Sequence, residues 1–68
     1  MIEFKLQDEF IELYKLIKVL DLVDSGADAK LLIANGHVIR NGEIELKKRA
    51  KIREGEVIQI AEVTIKVL

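Results

Sequence analysis

The fold is decided by residues 25–42, which read SGADAKLLIANGHVIRNG. Ser25 followed three residues later by Asp28 is a helix-capping pattern, because a serine hydroxyl can accept a hydrogen bond from a free amide of the first helical turn. The helix predicted from this cap runs to Asn35, and Gly36 supplies the left-handed conformation that ends it. The first half of the stretch therefore predicts one short helix with clear ends.

The second half of the stretch predicts a β-hairpin. Residues 37–40 have the pattern of a strand, and Asn41-Gly42 favours a type I′ turn because both residues tolerate positive φ angles. Residues 43–45 continue as the returning strand. Further along the chain, residues 57–60 and 63–67 predict two more strands joined by a tight turn.

The residues before this stretch predict a strand and another helix. Apolar and charged side chains alternate over residues 2–6, which is the period of a strand with one buried face. Asp8 is the predicted N-cap of a helix over residues 10–22, whose wide apolar stripe would pack against both the sheet and the second helix. The aromatic residues fit core positions, so no base-stacking platform is expected: they are Phe4, Phe10 and Tyr14.

Together these elements predict an α+β fold, with two packed helices against a small, mainly antiparallel sheet. The length of 68 residues supports a single domain over residues 1–68. No apolar run approaches the ~20 residues of a membrane span, and the amino terminus lacks the pattern of a signal peptide. We therefore expect no membrane partner and a cytoplasmic location.

The composition leaves few residues for catalysis or metal binding. The chain has no cysteine, one histidine and four glycines, which excludes a cysteine-based zinc or disulfide framework and gives no glycine-rich phosphate loop. Its only serine, Ser25, is already explained as a helix cap. The carboxylates lack the spacing of a calcium loop. We expect neither enzymatic activity nor a cofactor or metal.

The net charge of −1 hides a strong asymmetry along the chain. Residues 1–29 carry three basic and seven acidic side chains, which gives −4. Residues 30–53 carry seven basic and two acidic side chains, which gives +5, and residues 54–68 contribute −2. Because a polyanion responds to the local field more than to the total charge, the middle block is a candidate nucleic-acid surface.

The densest part of this block is the segment over residues 47–53, with the sequence KKRAKIR. If it is extended, Lys47, Arg49, Lys51 and Arg53 project to one face at about 6.6 Å intervals, close to the spacing of phosphates along a nucleic-acid backbone. Two interpretations remain open on this pattern: a phosphate-tracking row, or an edge strand that lysine protects from aggregation. The absence of an interleaved acid favours a polyanion ligand.

Two residues outside the segment are further candidates. Lys30 falls in the first turns of the second predicted helix, where free amides and the helix dipole favour an anion. His37 opens the first strand of the hairpin, where it would be either an RNA-edge contact or an ordinary surface histidine.

Residues 25–42 resemble the core of the S4 RNA-binding domain family, which combines a capped helix with a G-x-V-x-x-N-G strand and turn. Residues 51–58, KIREGEVI, are similar to the closing element of that family. The likeness is greatest to small stand-alone bacterial S4-like proteins, which share S-G-A-x-A-K and a K-R-x-K-I run. The resemblance implies an RNA-contact role for Lys30, Lys48, Arg49 and Lys51, whereas Lys47 is a candidate from its charge alone.

We therefore predict a non-enzymatic module that binds structured RNA, with ribosomal RNA as a candidate, by phosphate and shape contacts. The predicted RNA-binding residues are Lys30, His37, Arg40, Lys47, Lys48, Arg49, Lys51 and Arg53. The alternative is a small protein-interaction or regulatory module whose basic strand docks an acidic partner. No oligomeric state is predicted.

Overall fold

Residues 1–68 are described by a computed structural model, in which two helices lie against two small β-sheets. The helices are α1 (Leu13–Val19) and α2 (Gly26–Ala34). The strands, in chain order, are β1 (Ile2–Phe4), β2 (Ile11–Glu12), β3 (Val38–Arg40), β4 (Glu43–Ile44), β5 (Lys51–Ile52), β6 (Val57–Ile60) and β7 (Val63–Val67).

The larger sheet has the strand order β1-β7-β6-β3-β4. β1 runs parallel to β7, with Ile2 opposite Ile65, and the other neighbours are antiparallel. β2 and β5 form a separate antiparallel pair, in which Ile11 lies opposite Ile52. The predicted fold class, an α+β arrangement with two helices and a mainly antiparallel sheet, is confirmed.

One apolar cluster joins both helices to both sheets. Its members are aliphatic and buried, and they are Leu13, Leu16, Ile17, Ala29, Ile33, Val38, Ala50, Ile52, Ile58, Ile60, Ile65 and Val67. No polar or charged residue is buried. Because the basic segment contributes Ala50 and Ile52 to this cluster, its backbone is anchored while its cationic side chains remain outside.

The stretch over residues 25–42 folds as its sequence predicts. The Asp28 amide donates a hydrogen bond to Ser25 Oγ at 3.1 Å, which confirms the N-cap of α2. Gly36 follows the helix with a φ of +80°, and Asn41 and Gly42 have φ angles of +50° and +88°, as a type I′ turn requires. Local sequence therefore determines both α2 and the β3–β4 hairpin.

The replacement Ser25→Ala tests the helix cap. We expect it to lower the free energy of unfolding by about 1 kcal/mol, because the first turn of α2 loses the acceptor for its Asp28 amide. Urea unfolding followed by circular dichroism measures the change. Ser25→Asp is the matched control, because it keeps an oxygen acceptor and should retain most of the stability. Equal loss in both variants would contradict the capping role.

The prediction for the first helix is wrong at its beginning and its end. α1 covers Leu13–Val19 rather than residues 10–22, and Asp8 does not cap it. The amides of Leu13 and Tyr14 instead donate to the carbonyls of Ala50 and Lys48, at 2.9 and 3.0 Å. The free donors of the first helical turn are thus satisfied by a segment about 35 residues away along the chain. Local sequence carries no signal for such a cap.

Candidate functional site

The basic segment over residues 47–53 is not the continuous strand that its sequence predicts. Lys48 and Arg49 form a turn, in which the Ala50 amide donates to the Lys47 carbonyl at 3.2 Å, and only Lys51–Ile52 is a strand. The predicted row of four cations at strand spacing is therefore wrong. The carbonyls on either side of Arg49, those of Lys48 and Ala50, accept hydrogen bonds from the first amides of α1, so the turn is docked on the amino end of that helix.

This backbone docking places basic side chains around the Tyr14 ring. Lys30 Nζ of α2 lies 4.7 Å from the ring centroid, and Arg49 Cζ of the turn lies 5.9 Å from it. Lys15 Nζ also lies 5.9 Å from the centroid. Three separate parts of the chain thus bring a cation to one half-buried aromatic ring, at distances where cation–π attraction operates.

A second ring, that of Phe10, lies next to two other cations of the segment. Lys51 Nζ lies 5.0 Å and Arg53 Cζ 5.6 Å from its centroid. The expectation of core positions is wrong for Phe10, which does not pack against the apolar cluster, whereas Phe4 and Tyr14 are partly buried and pack against it. Phe10 precedes β2 instead of lying on a helix. Because Ile11 pairs with the buried Ile52 and side chains alternate along a strand, the residues next to these two, Phe10 on one strand and Lys51 and Arg53 on the other, face away from the core.

We call this surface the cation–aromatic face and define it by six residues: Phe10, Tyr14, Lys30, Arg49, Lys51 and Arg53. None of its four cations forms an ion pair with a carboxylate. The basic residues in the ion pairs of the structure are Lys15 and Arg40. Lys47 and Lys48 are exposed next to the face and are also without an acidic partner. Its positive charge is therefore available to a ligand.

Arg40, also predicted to contact RNA, lies on β3 in a polar network with Glu45, Glu56 and the backbone of β5. Its Nε donates to Glu56 at 2.6 Å, its Nη1 donates to Glu45 at 3.0 Å, and its Nη2 donates to the Lys51 carbonyl at 3.1 Å. The other oxygen of Glu56 accepts from the Arg53 amide at 2.6 Å. The network thus contacts the backbone of both Lys51 and Arg53. Arg40 therefore helps to position these two residues.

The ionisation of this network follows from its hydrogen bonds. The hydrogen bond to Glu56 raises the pKa of Arg40 above its ordinary value in spite of partial burial. Burial acts to raise the pKa of Glu45 and Glu56, but the hydrogen bonds and positive charge of Arg40, with backbone amides, outweigh it. Both carboxyl pKa values therefore lie below the ordinary 4.5.

We expect a pH dependence of stability from this pair of carboxylates. Because their pKa values are lower in the folded protein than in the unfolded chain, their contribution is complete well above pH 4.5 and is lost as the pH falls through the folded values. Thermal unfolding between pH 7 and pH 3 measures it. The double variant Glu45→Gln/Glu56→Gln should be less stable than the wild type at pH 7, and its stability should fall less than that of the wild type on acidification. Parallel pH profiles for the two proteins would contradict this assignment.

His37 lies apart from the two rings. It is exposed between Gly36 and β3, its amide donates to the Leu32 carbonyl at 3.2 Å, and its imidazole faces neither Phe10 nor Tyr14 as a cation–π partner. Of the eight predicted residues, the structure places Lys30 and Arg49 at the Tyr14 ring and Lys51 and Arg53 at the Phe10 ring. Lys47 and Lys48 are exposed and precede Arg49 in the chain.

Sequence reasoning missed Phe10 and Tyr14 as members of the face. Their spacing of four residues suggests one apolar helix stripe, which is why they were assigned to the core. The only signal in the sequence was the basic residue next to one of them, Lys15. No group of three or more His, Cys, Asp or Glu side chains is arranged to hold a metal ion. Neither helix is long and apolar enough to cross a membrane.

Comparison with known proteins shows which family this chain is similar to. Residues 4–68 match the family model described as the S4 domain. A 58-residue alignment with YbcJ of Escherichia coli (strain K12) has 38% identity and covers 85% of this chain and 83% of that protein, which carries the provisional name of an RNA-binding protein.

Two solved structures share the fold. The solution structure of Escherichia coli YbcJ, described as revealing an ALFAL motif involved in RNA-binding, has a TM-score of 0.76 and 36% identity, and the match covers 100% of this chain and 87% of that one. The crystal structure of the 30S ribosomal protein S4e from Thermoplasma acidophilum has a TM-score of 0.70 and 27% identity, over 85% of this chain and 31% of that one. Because the family model matches nearly its whole length, the chain belongs to the S4 domain family.

Proposed function

We propose that this S4 domain binds structured RNA through the cation–aromatic face, with Lys47 and Lys48 as flanking contacts. The observation that carries the proposal is that cations without a carboxylate partner gather at two aromatic rings: Lys30 and Arg49 at Tyr14, and Lys51 and Arg53 at Phe10. A folded protein gains little by gathering like charges in one place, because they repel each other. A polyanion removes that repulsion and releases its own counterions on binding.

The relatives support the same ligand class. YbcJ carries an RNA-binding name, and its structure is described with a motif involved in RNA-binding. The likeness to ribosomal protein S4e makes ribosomal RNA the first target to try. The proposal assigns a binding module rather than an enzyme, since the Ser25 hydroxyl is engaged as a cap and His37 stands alone on the surface.

The contacts that we propose are to phosphates and to shape. Lys30, Arg49, Lys51 and Arg53 are long side chains in or near solvent, and each can reach a phosphate without a change of backbone. Arg40 is omitted from the RNA contacts and is proposed as a positioning residue, because all its guanidinium nitrogens donate to groups of the protein. His37 remains a candidate at the edge of the surface.

An amide NMR titration with a structured ribosomal RNA fragment tests the proposal. We expect shifts at Lys30 and over residues 47–53, with little change on β7. If about four phosphates of an unpaired strand are contacted, log affinity should fall with log salt at a slope near −3, and more steeply for a duplex.

The same titration with poly-glutamate is the control for a purely acidic partner. Equal affinity for poly-glutamate and RNA would favour the alternative, in which the face docks an acidic protein. Absence of shifts with RNA at low salt would overturn the proposal.

A further inference from the structure

The Phe10 ring lies at the edge of the packed interior. Phe10 is partly exposed and, unlike Phe4 and Tyr14, is not among the residues packed against the apolar cluster, although it shares a shallow cleft with Phe4 and Leu6. An aromatic ring kept partly in water forgoes the stabilisation that its burial would provide, so its place on the cation–aromatic face points to a binding role.

The ring borders a groove that is open to solvent. This groove has a volume of about 580 Å³, within the range of small-ligand sites. Its lining residues are Asp8, Phe10, Ile11, Glu12, Lys15 and Lys51. The lining thus combines apolar side chains with two cations and two carboxylates.

The cations beside the Phe10 ring suit a phosphate. Lys51 Nζ and Arg53 Cζ lie 5.0 and 5.6 Å from the Phe10 centroid, both residues are exposed, and Lys51 also lines the groove. Because the two residues are two positions apart at the end of β5, they can hold the same phosphate or two successive ones. A base stacked on Phe10 would carry its own phosphate into their reach.

The carboxylates in the groove indicate which base would fit. Asp8 and Glu12 line the groove and, as carboxylates, accept hydrogen bonds from a base and repel a phosphate. The exocyclic amino group of cytosine offers them two N–H donors, whereas uracil has a carbonyl oxygen at that position and offers a carboxylate only its single N3–H. Glu12 is fixed by Lys15 at 3.1 Å, which leaves Asp8 as the freer acceptor.

We propose that this groove binds one unpaired, amino-bearing RNA base stacked on Phe10, with its phosphate held by Lys51 and Arg53. This inference rests on the proposed function and narrows its ligand to RNA with an accessible unpaired base. Tyr14 is unsuited to the same role, since it packs against the apolar cluster and does not line this groove.

Three RNAs of equal stem sequence test the proposal: a hairpin with a cytidine loop, one with a uridine loop, and a blunt duplex without a loop. Affinities are measured for the wild type and Phe10→Leu, which removes the ring and keeps an apolar side chain. We expect Phe10→Leu to weaken binding of the cytidine-loop hairpin by about 5- to 100-fold and that of the duplex by less than about 2-fold. The wild type should prefer the cytidine loop to the uridine loop.

Two further variants complete the experiment. The chain contains no tryptophan, so Phe10→Trp adds a single fluorophore that can still stack, and the cytidine-loop hairpin should quench its emission while affinity is retained. Ile44→Ala is the control, because it truncates an exposed apolar side chain on β4, which belongs to the other sheet and does not line this groove, and it should leave all three affinities unchanged. Amide spectra of each variant establish that the fold is intact.

The outcomes separate this inference from the proposed function. If the wild type binds none of the three RNAs, the proposed function fails and this inference fails with it. If the wild type binds all three and Phe10→Leu binds them equally well, the RNA-binding face stands and the base site is overturned. Equal affinity of the wild type for the two loops would overturn the selection by Asp8 and Glu12.

Discussion

Replacing Arg49 and Lys51 together by glutamate is expected to weaken RNA binding by about 100-fold or more at moderate salt. Each replacement turns an attraction for phosphate into a repulsion, and a combined loss of about 3 kcal/mol corresponds to this factor at ~1.4 kcal/mol per tenfold change. Filter binding or fluorescence anisotropy with a labelled ribosomal RNA fragment measures it. The slope of log affinity against log salt should also become shallower, since fewer counterions are released.

The fold should survive this double replacement. Both side chains are exposed and neither pairs with a carboxylate, so the main loss in the protein is the cation–π contact with each ring, about 1 kcal/mol or less at such sites. Lys66→Glu is the matched control for Lys51→Glu, because each is an exposed lysine on a strand and β7 is outside the proposed face. Melting of the double variant, or equal loss of affinity in the control, would remove the basis of the proposed site.

The replacement Ile52→Asp should unfold the domain. Ile52 is fully buried, lies opposite Ile11 in the β2–β5 pair and belongs to the single apolar cluster. A carboxylate there would have no partner, and its burial costs several kcal/mol, against the ~3–5 kcal/mol that a core of this size supplies. We expect no cooperative thermal transition and no dispersed amide spectrum.

Two controls accompany this prediction. Ile52→Val removes one methylene and should cost about 1 kcal/mol while the fold remains. Gln59→Asp introduces the same carboxylate at an exposed position of β6 and should leave the protein folded. A folded Ile52→Asp protein with normal RNA affinity would show that the β2–β5 pair does not anchor the face.

The parts of the fold that local sequence specifies were predictable. The cap at Ser25, the left-handed Gly36 and the Asn41-Gly42 turn each act within a few residues, so α2 and the β3–β4 hairpin followed directly from their sequence. The beginning of α1 was not predictable, because its first amides bond to the carbonyls of Lys48 and Ala50. A helix end satisfied at long range has no signature in the residues that precede it.

The same long-range contact explains why only part of the site was predictable from the sequence. Charge counting identified the basic residues, because charge is a property of composition and does not depend on geometry. Their arrangement around Tyr14 and Phe10 depends on the β2–β5 pairing and on the turn at Lys48 and Arg49. A regular strand would have produced a linear row of cations, whereas the docked turn produces a cluster around two rings.

The position of β7 between β1 and β6 has a consequence for the nascent chain. The strand that is synthesised last among these elements fills an interior place in the sheet, so a chain released before residue 63 would leave both neighbours with unpaired edges. Such a fragment would still carry every cation of the proposed face, yet it would lack Ile65 and Val67 from the core. We expect cellular proteases to remove prematurely terminated chains, so that only the completed domain competes for RNA.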